Sequence, residues 1–140
     1  IQQVGLAEAA LAAPGFWESL WADWSPGYDS SEDIAHLRQW VTEASIPGII
    51  CPYRASFNPQ FSDPEVAAEA VATMGPPPVP TLYLHGADDG AMGAELLHNV
   101  TDHLPAPGSE FVLLDGVGHF LHLEQPKPVA DLICRWLDSD

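Results

Sequence analysis

Two apolar runs in the second half of the chain each end in a turn that carries glycine and a chemically able side chain. The first run with its turn occupies 79–90, and the second occupies 112–120. A strand, a crossover helix and a parallel strand together take about thirty residues or more. The pattern therefore predicts an α/β unit with a strand over 79–85, a helix over about 93–104, a second strand over 110–114 and a last helix over about 126–138.

The first half of the chain has helical rather than strand periodicity. Trp17, Trp21 and Trp24 stand near helical spacing, which predicts one or two short helices broken at Pro14-Gly15. Farther on, a series of apolar residues at i, i+3 and i+7, from Ile34 to Val41, predicts an amphipathic helix that ends before Pro47.

Prolines mark the later part of this half. Pro52 and Pro59 predict an irregular segment over 49–59. Ser62 to Glu65 form a capping signal, which predicts a helix of small residues that runs to Met74. The Pro-rich stretch over 75–80 is stiff and extended, so we divide the chain into a helical segment, 1–78, and an α/β segment, 79–140.

The charge balance excludes some partners. The net charge is −16, with only four basic residues, which argues against nucleic acid or an anionic membrane surface as a partner. No apolar run reaches the eighteen residues of a membrane span, and the start of the chain lacks a basic n-region. A cytoplasmic location is the default expectation. Cys51 and Cys134 form no CxxC pair, and we expect reduced, buried thiols, with a disulfide as the open alternative.

The two turns carry a carboxylate and an imidazole. Parallel strands joined by a crossover present their carboxyl ends at one edge of the sheet, where ligands bind in open α/β sheets. We therefore expect Asp89 and His119 to face each other, as the acid and the general base of two thirds of a catalytic triad. Asp88 is the alternative acid. Asp is also an ordinary turn residue, and a histidine in a loop can be purely structural.

A metal site is the competing interpretation of the second turn. His119 and His122 are three residues apart rather than the four of an HExxH zinc helix, so we expect neither metal nor cofactor. His122 and Glu124 are expected to brace the loop by hydrogen bonds, and His85 to line the pocket. The remaining histidines are expected on helix surfaces: His36, His98 and His103.

The acid turn, Gly86-Ala87-Asp88-Asp89, and the segment from Gly118 to Pro126 resemble the acid turn and histidine loop of α/β-hydrolases. The order, acid before histidine, is the order of that fold, and the family's usual spacing from glycine selects Asp89. The resemblance implies the C-terminal part of such a hydrolase, namely a helical cap segment followed by the last two parallel strands and their helices.

Residues 1–61 are more loosely similar to the cap segment of epoxide-hydrolase-like members. There, a tyrosine before an arginine donates a hydrogen bond to the epoxide oxygen, which assigns this role to Tyr53, next to Arg54. Packing with a satisfied hydroxyl is the alternative for Tyr53. Cys51-Pro52 departs from the aromatic residues expected there. Trp21 and Phe120 are expected to bind an apolar substrate.

Outside the acid turn, the chain contains no Gly-x-Ser-x-Gly or Gly-x-Asp-x-Gly elbow. We therefore expect a fragment that needs the missing N-terminal half of the core as its partner and is inactive alone. The whole would hydrolyse a small apolar substrate, an epoxide in the first place. The alternatives are an ester hydrolase, a haloalkane dehalogenase, or a non-catalytic remnant that acts as an interaction module.

Overall fold

The chain combines helices with a small parallel sheet, an α/β arrangement. The computed structural model describes residues 2–58, 60, 63, 65, 69, 71 and 75–139. The elements are α1 (Leu6–Ala12), α2 (Phe16–Trp24), α3 (Ser31–Leu37), α4 (Ile46–Phe57), β1 (Leu82–Gly86), two 3₁₀ helices (Ala94–Leu97 and Val100–His103), β2 (Glu110–Leu114), α5 (Leu121–Glu124) and α6 (Pro126–Leu137).

The described residues fall into two compact units. One contains the residues up to Leu20 together with Asp29–Gly75, and the other contains Trp21–Tyr28 together with the residues from Pro76 onward. These units differ from the expected division, 1–78 and 79–140, because Trp21–Tyr28 groups with the C-terminal unit and the later boundary follows Gly75. The physical reason for the grouping of Trp21–Tyr28 is a set of long-range backbone hydrogen bonds that is described with the site below.

The N-terminal unit is built on α1 and α4. Ala7, Ile46 and Ile50 are its buried apolar residues, and α4 extends this buried face to Arg54, one turn farther on. The guanidinium of Arg54 donates to both carboxylate oxygens of Glu8, at 2.6 and 3.0 Å. This ion pair joins the C-terminal end of the buried face of α4 to α1.

The irregular segment predicted over 49–59 is wrong, because α4 runs through it to Phe57 with Pro52 inside the helix. Ile46, Ile50 and Arg54 lie four residues apart and are all buried, so burial along one face of the helix outweighs the hydrogen bond that Pro52 cannot make. The break at Pro14-Gly15 is confirmed, since α1 and α2 flank it. The helix predicted from 62 to Met74 lies largely outside the described residues.

The C-terminal unit centres on the two strands. β1 and β2 pair in parallel, with Leu82 opposite Glu110 and Gly86 opposite Leu114. The core beside them contains Leu114, Val117 and Val129. The strand over 110–114 is confirmed, the first strand starts at Leu82 rather than 79, and α6 ends at Leu137, one residue before its predicted end.

The crossover segment differs from its prediction. Instead of one helix over 93–104, it contains two 3₁₀ helices with no buried residue. Without a buried apolar face, this segment lacks the packing that stabilises most α-helices in proteins. Within the described part of the chain, no helix is both long enough and apolar enough to cross a membrane.

The cysteines are free, but both are exposed, so the expectation of buried thiols is wrong. Cys51 lies on the solvent side of α4, next to the buried Ile50. Cys134 lies on the solvent side of α6 in the same way.

Candidate active site

The acid turn follows directly from β1. The N–H of Asp89 donates to the carbonyl of Gly86 at 3.2 Å, which folds the chain back at the end of the strand. The carboxylate oxygen Oδ1 then accepts the N–H groups of Ala91 and Met92, at 2.8 and 2.9 Å. Asp89 is 8% exposed, so its side chain is fixed on one oxygen by the loop that carries it.

The histidine loop follows from β2 and is fixed by its backbone. The N–H of His119 donates to the carbonyl of Trp24 at 2.9 Å, and the same carbonyl accepts the N–H of Gly90 at 3.2 Å. One oxygen at the end of α2 therefore joins the acid turn to the histidine loop. These bonds explain why Trp21–Tyr28 belongs to the C-terminal unit.

Asp89 and His119 are in direct contact at the carboxyl ends of the two parallel strands. Nδ1 of His119 lies 2.9 Å from Oδ2 of Asp89. Because a carboxylate only accepts, Nδ1 carries the proton and Nε2 of the neutral ring has a free lone pair. Within the described part of the chain Nε2 has no hydrogen-bond partner, and the His119 side chain is 31% exposed.

The Asp89 carboxyl stays ionised at neutral pH. Its burial opposes ionisation, but the hydrogen bonds from Met92, His119 and Ala91 together hold the pKa of Asp89 below its usual value. An ionised acid is what fixes the tautomer and orientation of a histidine base.

Glu124 braces the histidine loop, as expected. Its Oε2 accepts the N–H of Gly118 at 2.8 Å, and its Oε1 accepts the N–H of Phe120 at 3.1 Å and the hydroxyl of Ser25 at 2.7 Å. One carboxylate thus satisfies the donors on both sides of His119. The expected partner in this role, His122, is exposed instead.

Aromatic rings surround the imidazole. The ring of Trp24 meets that of His119 edge-on, with centroids 4.8 Å apart. Trp21 and Phe120, the two expected substrate-binding residues, stack on each other at 4.5 Å. Trp21 is buried, and its Nε1 is the one buried side-chain donor in the described chain without a partner. Phe120 of this pair also lies beside the imidazole, with the ring centroids of Phe120 and His119 5.1 Å apart. Binding of a substrate by the pair stays a prediction.

Two glycines allow the close approach of the loops. A Cβ on Gly86 would overlap the carbonyl oxygens of Val117 and Gly118. A Cβ on Gly118 would lie 2.5 Å from the Cα of Ser25. The end of β1, the histidine loop and the turn after α2 therefore meet backbone to backbone, with no space for side chains.

His85 was expected to line the pocket, and that expectation is wrong. It is 5% exposed. Its Nδ1 lies 3.0 Å from the Tyr83 hydroxyl, and its Nε2 lies 2.8 Å from the carbonyl of Met92. His85 is therefore an interior residue behind the acid turn. The other three histidines are exposed, as expected: His36, His98 and His103.

Tyr53 lies in the other unit. It is on α4, 48% exposed, and its backbone carbonyl accepts a bond from the Gln2 side chain at 3.1 Å. The neighbouring Arg54 is occupied by Glu8. The role of Tyr53 as a donor to the substrate stays a prediction.

The Asp88 carboxylate and the Ser25 hydroxyl are the two candidate nucleophiles in the described chain, and neither has the geometry that a nucleophile requires. Gly86 to Gly90 has the spacing Gly-x-Asp-x-Gly around Asp88, but a nucleophile elbow is a strained strand-to-helix turn. No non-glycine residue in the described chain has a positive φ, and no helix begins between the end of β1 at Gly86 and Ala94. The Ser25 hydroxyl has no exposed surface and donates to Glu124.

Sequence reasoning missed Ser25, the Trp24 carbonyl and Met92. Each acts through a backbone group or across a long sequence separation, such as the 95 residues between Ser25 and Phe120. The Ser25-Pro26-Gly27 turn was visible in the sequence, but nothing local connects it to the histidine loop.

No group of three or more His, Cys, Asp or Glu side chains in the described ranges is arranged to hold a metal ion. In comparisons with known proteins, no family model, no curated protein and no solved structure matches this chain. Function is therefore inferred from the geometry of the site alone.

Proposed function

We propose that this chain supplies the acid and the general base of a hydrolase that uses a nucleophile–Asp–His triad on a small apolar substrate, in the first place an epoxide. The observation that carries the proposal is the Asp89–His119 contact of 2.9 Å. It combines a buried, oriented acid with an imidazole whose Nε2 is unoccupied in the described chain and partly exposed. This is the arrangement in which a histidine removes a proton from water or from a nucleophile.

The nucleophile comes from a segment outside these 140 residues. Neither Asp88 nor Ser25 has the setting of a nucleophile, as described above. The two-stranded sheet supports an additional segment, because each strand has one edge without a strand partner in the described chain. Open strand edges and apolar side chains are the features that further strands would cover. Val79, Leu113, Ile133 and Leu137 are all more than 40% exposed.

Tyr53 is assigned to the leaving oxygen. Opening an epoxide leaves an alkoxide on the substrate, which needs a proton or a strong donor. An ester instead develops its oxyanion at the carbonyl, next to backbone donors of the nucleophile segment. The aromatic pair of Trp21 and Phe120 supplies apolar contact beside the base.

The test measures hydrolysis of an epoxide and of an ester by the longest natural protein that contains this sequence. His119→Ala is expected to lower turnover of both substrates by about 10³-fold or more, because the general base is lost. Tyr53→Phe is expected to lower epoxide turnover by about 10²-fold and to leave ester turnover nearly unchanged.

The control is Glu110→Gln, which alters an exposed ion pair on β2. The 140-residue chain alone is expected to show the same turnover as its own His119→Ala variant. Turnover by the isolated chain that depends on His119 would contradict the placement of the nucleophile elsewhere. Full activity of the longer protein after His119→Ala would overturn the proposal itself.

A further inference from the structure

The acid turn is held from behind by a buried histidine that the triad itself does not use. His85 is the fourth residue of β1, and its side chain is 6% exposed. Its Nε2 lies 2.8 Å from the carbonyl of Met92. A carbonyl only accepts, so Nε2 carries a proton.

The second ring nitrogen of His85 is also occupied. Nδ1 lies 3.0 Å from the Tyr83 hydroxyl. With Nε2 protonated in the neutral ring, Nδ1 accepts and the hydroxyl donates. Burial, and then the charge of Asp89, raise the pKa of Tyr83, which keeps this hydroxyl protonated. The tautomer of His85 is therefore fixed from both sides.

Met92 is the link between His85 and the acid. Its carbonyl is held by His85, and its N–H donates to Oδ1 of Asp89 at 2.9 Å. With Oδ1 held by the loop, Oδ2 is the oxygen that faces His119. Nε2 of His85 also lies 3.6 Å from Oδ2, which is too far for a hydrogen bond, so its influence on Asp89 passes through Met92.

We propose that His85 is a positioning residue for the Asp89–His119 pair: by fixing Met92 it fixes the rotation of the Asp89 carboxylate, and through it the tautomer of His119. The catalytic significance of this assignment rests on the proposed function, whereas the structural link does not. Tyr83 is the second member of the arrangement, because its hydroxyl keeps the proton of His85 on Nε2.

Two neutral polar substitutions separate this role from ordinary packing. In His85→Gln the amide nitrogen takes the place of Nε2 and still reaches the Met92 carbonyl. In His85→Asn the side chain reaches only to the place of Nδ1, so it keeps the Tyr83 contact and loses Met92. Both variants remove the ring, so any general loss of packing is common to them.

The readout is the tautomer of His119 in the 140-residue chain, measured by ¹⁵N NMR at neutral pH below the unfolding transition. Wild type and His85→Gln are expected to hold the proton on Nδ1. His85→Asn is expected to raise the Nε2–H fraction at least severalfold. An unchanged tautomer in His85→Asn would overturn the proposal.

Two further variants keep the outcome decisive. Tyr83→Phe retains the His85 ring and removes the donor to Nδ1, so it is expected to shift His119 in the same direction; if His85→Asn does not fold, no shift in Tyr83→Phe overturns the proposal. Asp89→Asn tests the pair itself. If it changes the His119 tautomer and His85→Asn does not, His85 is not a positioning residue. If Asp89→Asn leaves the tautomer of His119 unchanged, Asp89 does not orient His119. The proposed function is then overturned, independently of the role of His85.

Discussion

Each oxygen of the Asp89 carboxylate has a separate task. Oδ1 is occupied by two backbone N–H groups, and Oδ2 is left for His119. Glycine turns after two apolar runs were sufficient to place the acid turn and His119 at one edge of a parallel sheet, and the resemblance to α/β-hydrolases then selected Asp89 over Asp88. The sequence could not assign the oxygens, because this depends on hydrogen bonds that form only when the loop is folded.

Asp89→Asn is expected to reverse the tautomer of His119. The amide oxygen replaces Oδ1 as the acceptor for Ala91 and Met92, and the amide NH₂ then faces Nδ1, which must accept. Nε2 carries the proton and is lost as a base. The reversal is measured by ¹⁵N NMR on the isolated chain.

If the proposed function holds, Asp89→Asn is expected to lower kcat of the hydrolase that contains this chain by about 10³- to 10⁴-fold, by analogy with the triad acid of serine proteases. Asp88→Asn is the control, since Asp88 is exposed and its backbone N–H, not its side chain, contacts Val117. An equal loss of kcat in the two variants would mean that the acid is wrongly assigned.

At the scale of elements, the site depends on close backbone contact at the carboxyl ends of the strands. The strands and α6 were predictable, because their apolar patterns agree with the faces that they bury. Helix α4 was not, because Pro52 argues locally against a helix that is stabilised by the burial of Ile46, Ile50 and Arg54. The prediction for the crossover segment was wrong in the opposite direction, because a helix was expected where none forms. The segment is long enough for a helix, but its two 3₁₀ helices have no buried residue.

Two glycine-to-alanine substitutions are expected to have opposite effects on stability. At Gly86 a Cβ would overlap the Val117 and Gly118 carbonyls, so Gly86→Ala is expected to lower the free energy of unfolding by about 1–3 kcal/mol. At Gly48, on α4, nothing lies within 4 Å of a Cβ. Gly48→Ala is expected to raise it by about 0.5–1 kcal/mol. Urea denaturation followed by circular dichroism measures both, and equal effects would contradict the tight contact at Gly86.

At the scale of the whole molecule, the chain is strongly acidic, yet every basic residue has an acidic partner. The four cations pair as Arg38–Glu18, Arg54–Glu8, Lys127–Asp131 and Arg135–Glu110. Composition predicted the excess of acid but not which pairs form. Among them, the Arg54–Glu8 pair has the least exposed cation, and the other three are surface pairs, which contribute little to stability.

The Glu8–Arg54 pair is expected to make the N-terminal unit sensitive to acid. The Arg54 hydrogen bonds lower the pKa of Glu8 to about 2 from 4.5. A folded-state pKa below the unfolded one gives stability that is fully present above about pH 4.5 and is lost as pH falls through about 2. Wild type is therefore expected to be more stable than Glu8→Gln at neutral pH, with the difference shrinking over this window.

The measurement is urea denaturation at a series of pH values, followed at the amides of Ala7 and Ile50 by NMR. Glu43→Gln is the control, because it removes an exposed carboxylate from the same unit without touching Arg54. A difference between wild type and Glu8→Gln that stays constant down to pH 2 would rule out the pair as the cause.

The carbonyl of Trp24 has a consequence for the order of folding. It joins Gly90 and His119 to the end of α2, and the adjacent bond from Phe120 to Ser25 spans 95 residues. Contacts between such distant positions form only after a long loop has closed. Loop closure costs conformational entropy before the contacts themselves contribute any stability. The parallel strands can pair first. The acid turn and the histidine loop are held together only after the end of α2 has packed against them. The contact between Asp89 and His119 is therefore expected to form late in folding. Amide exchange at His119 should report the opening of this contact separately from that of the strands.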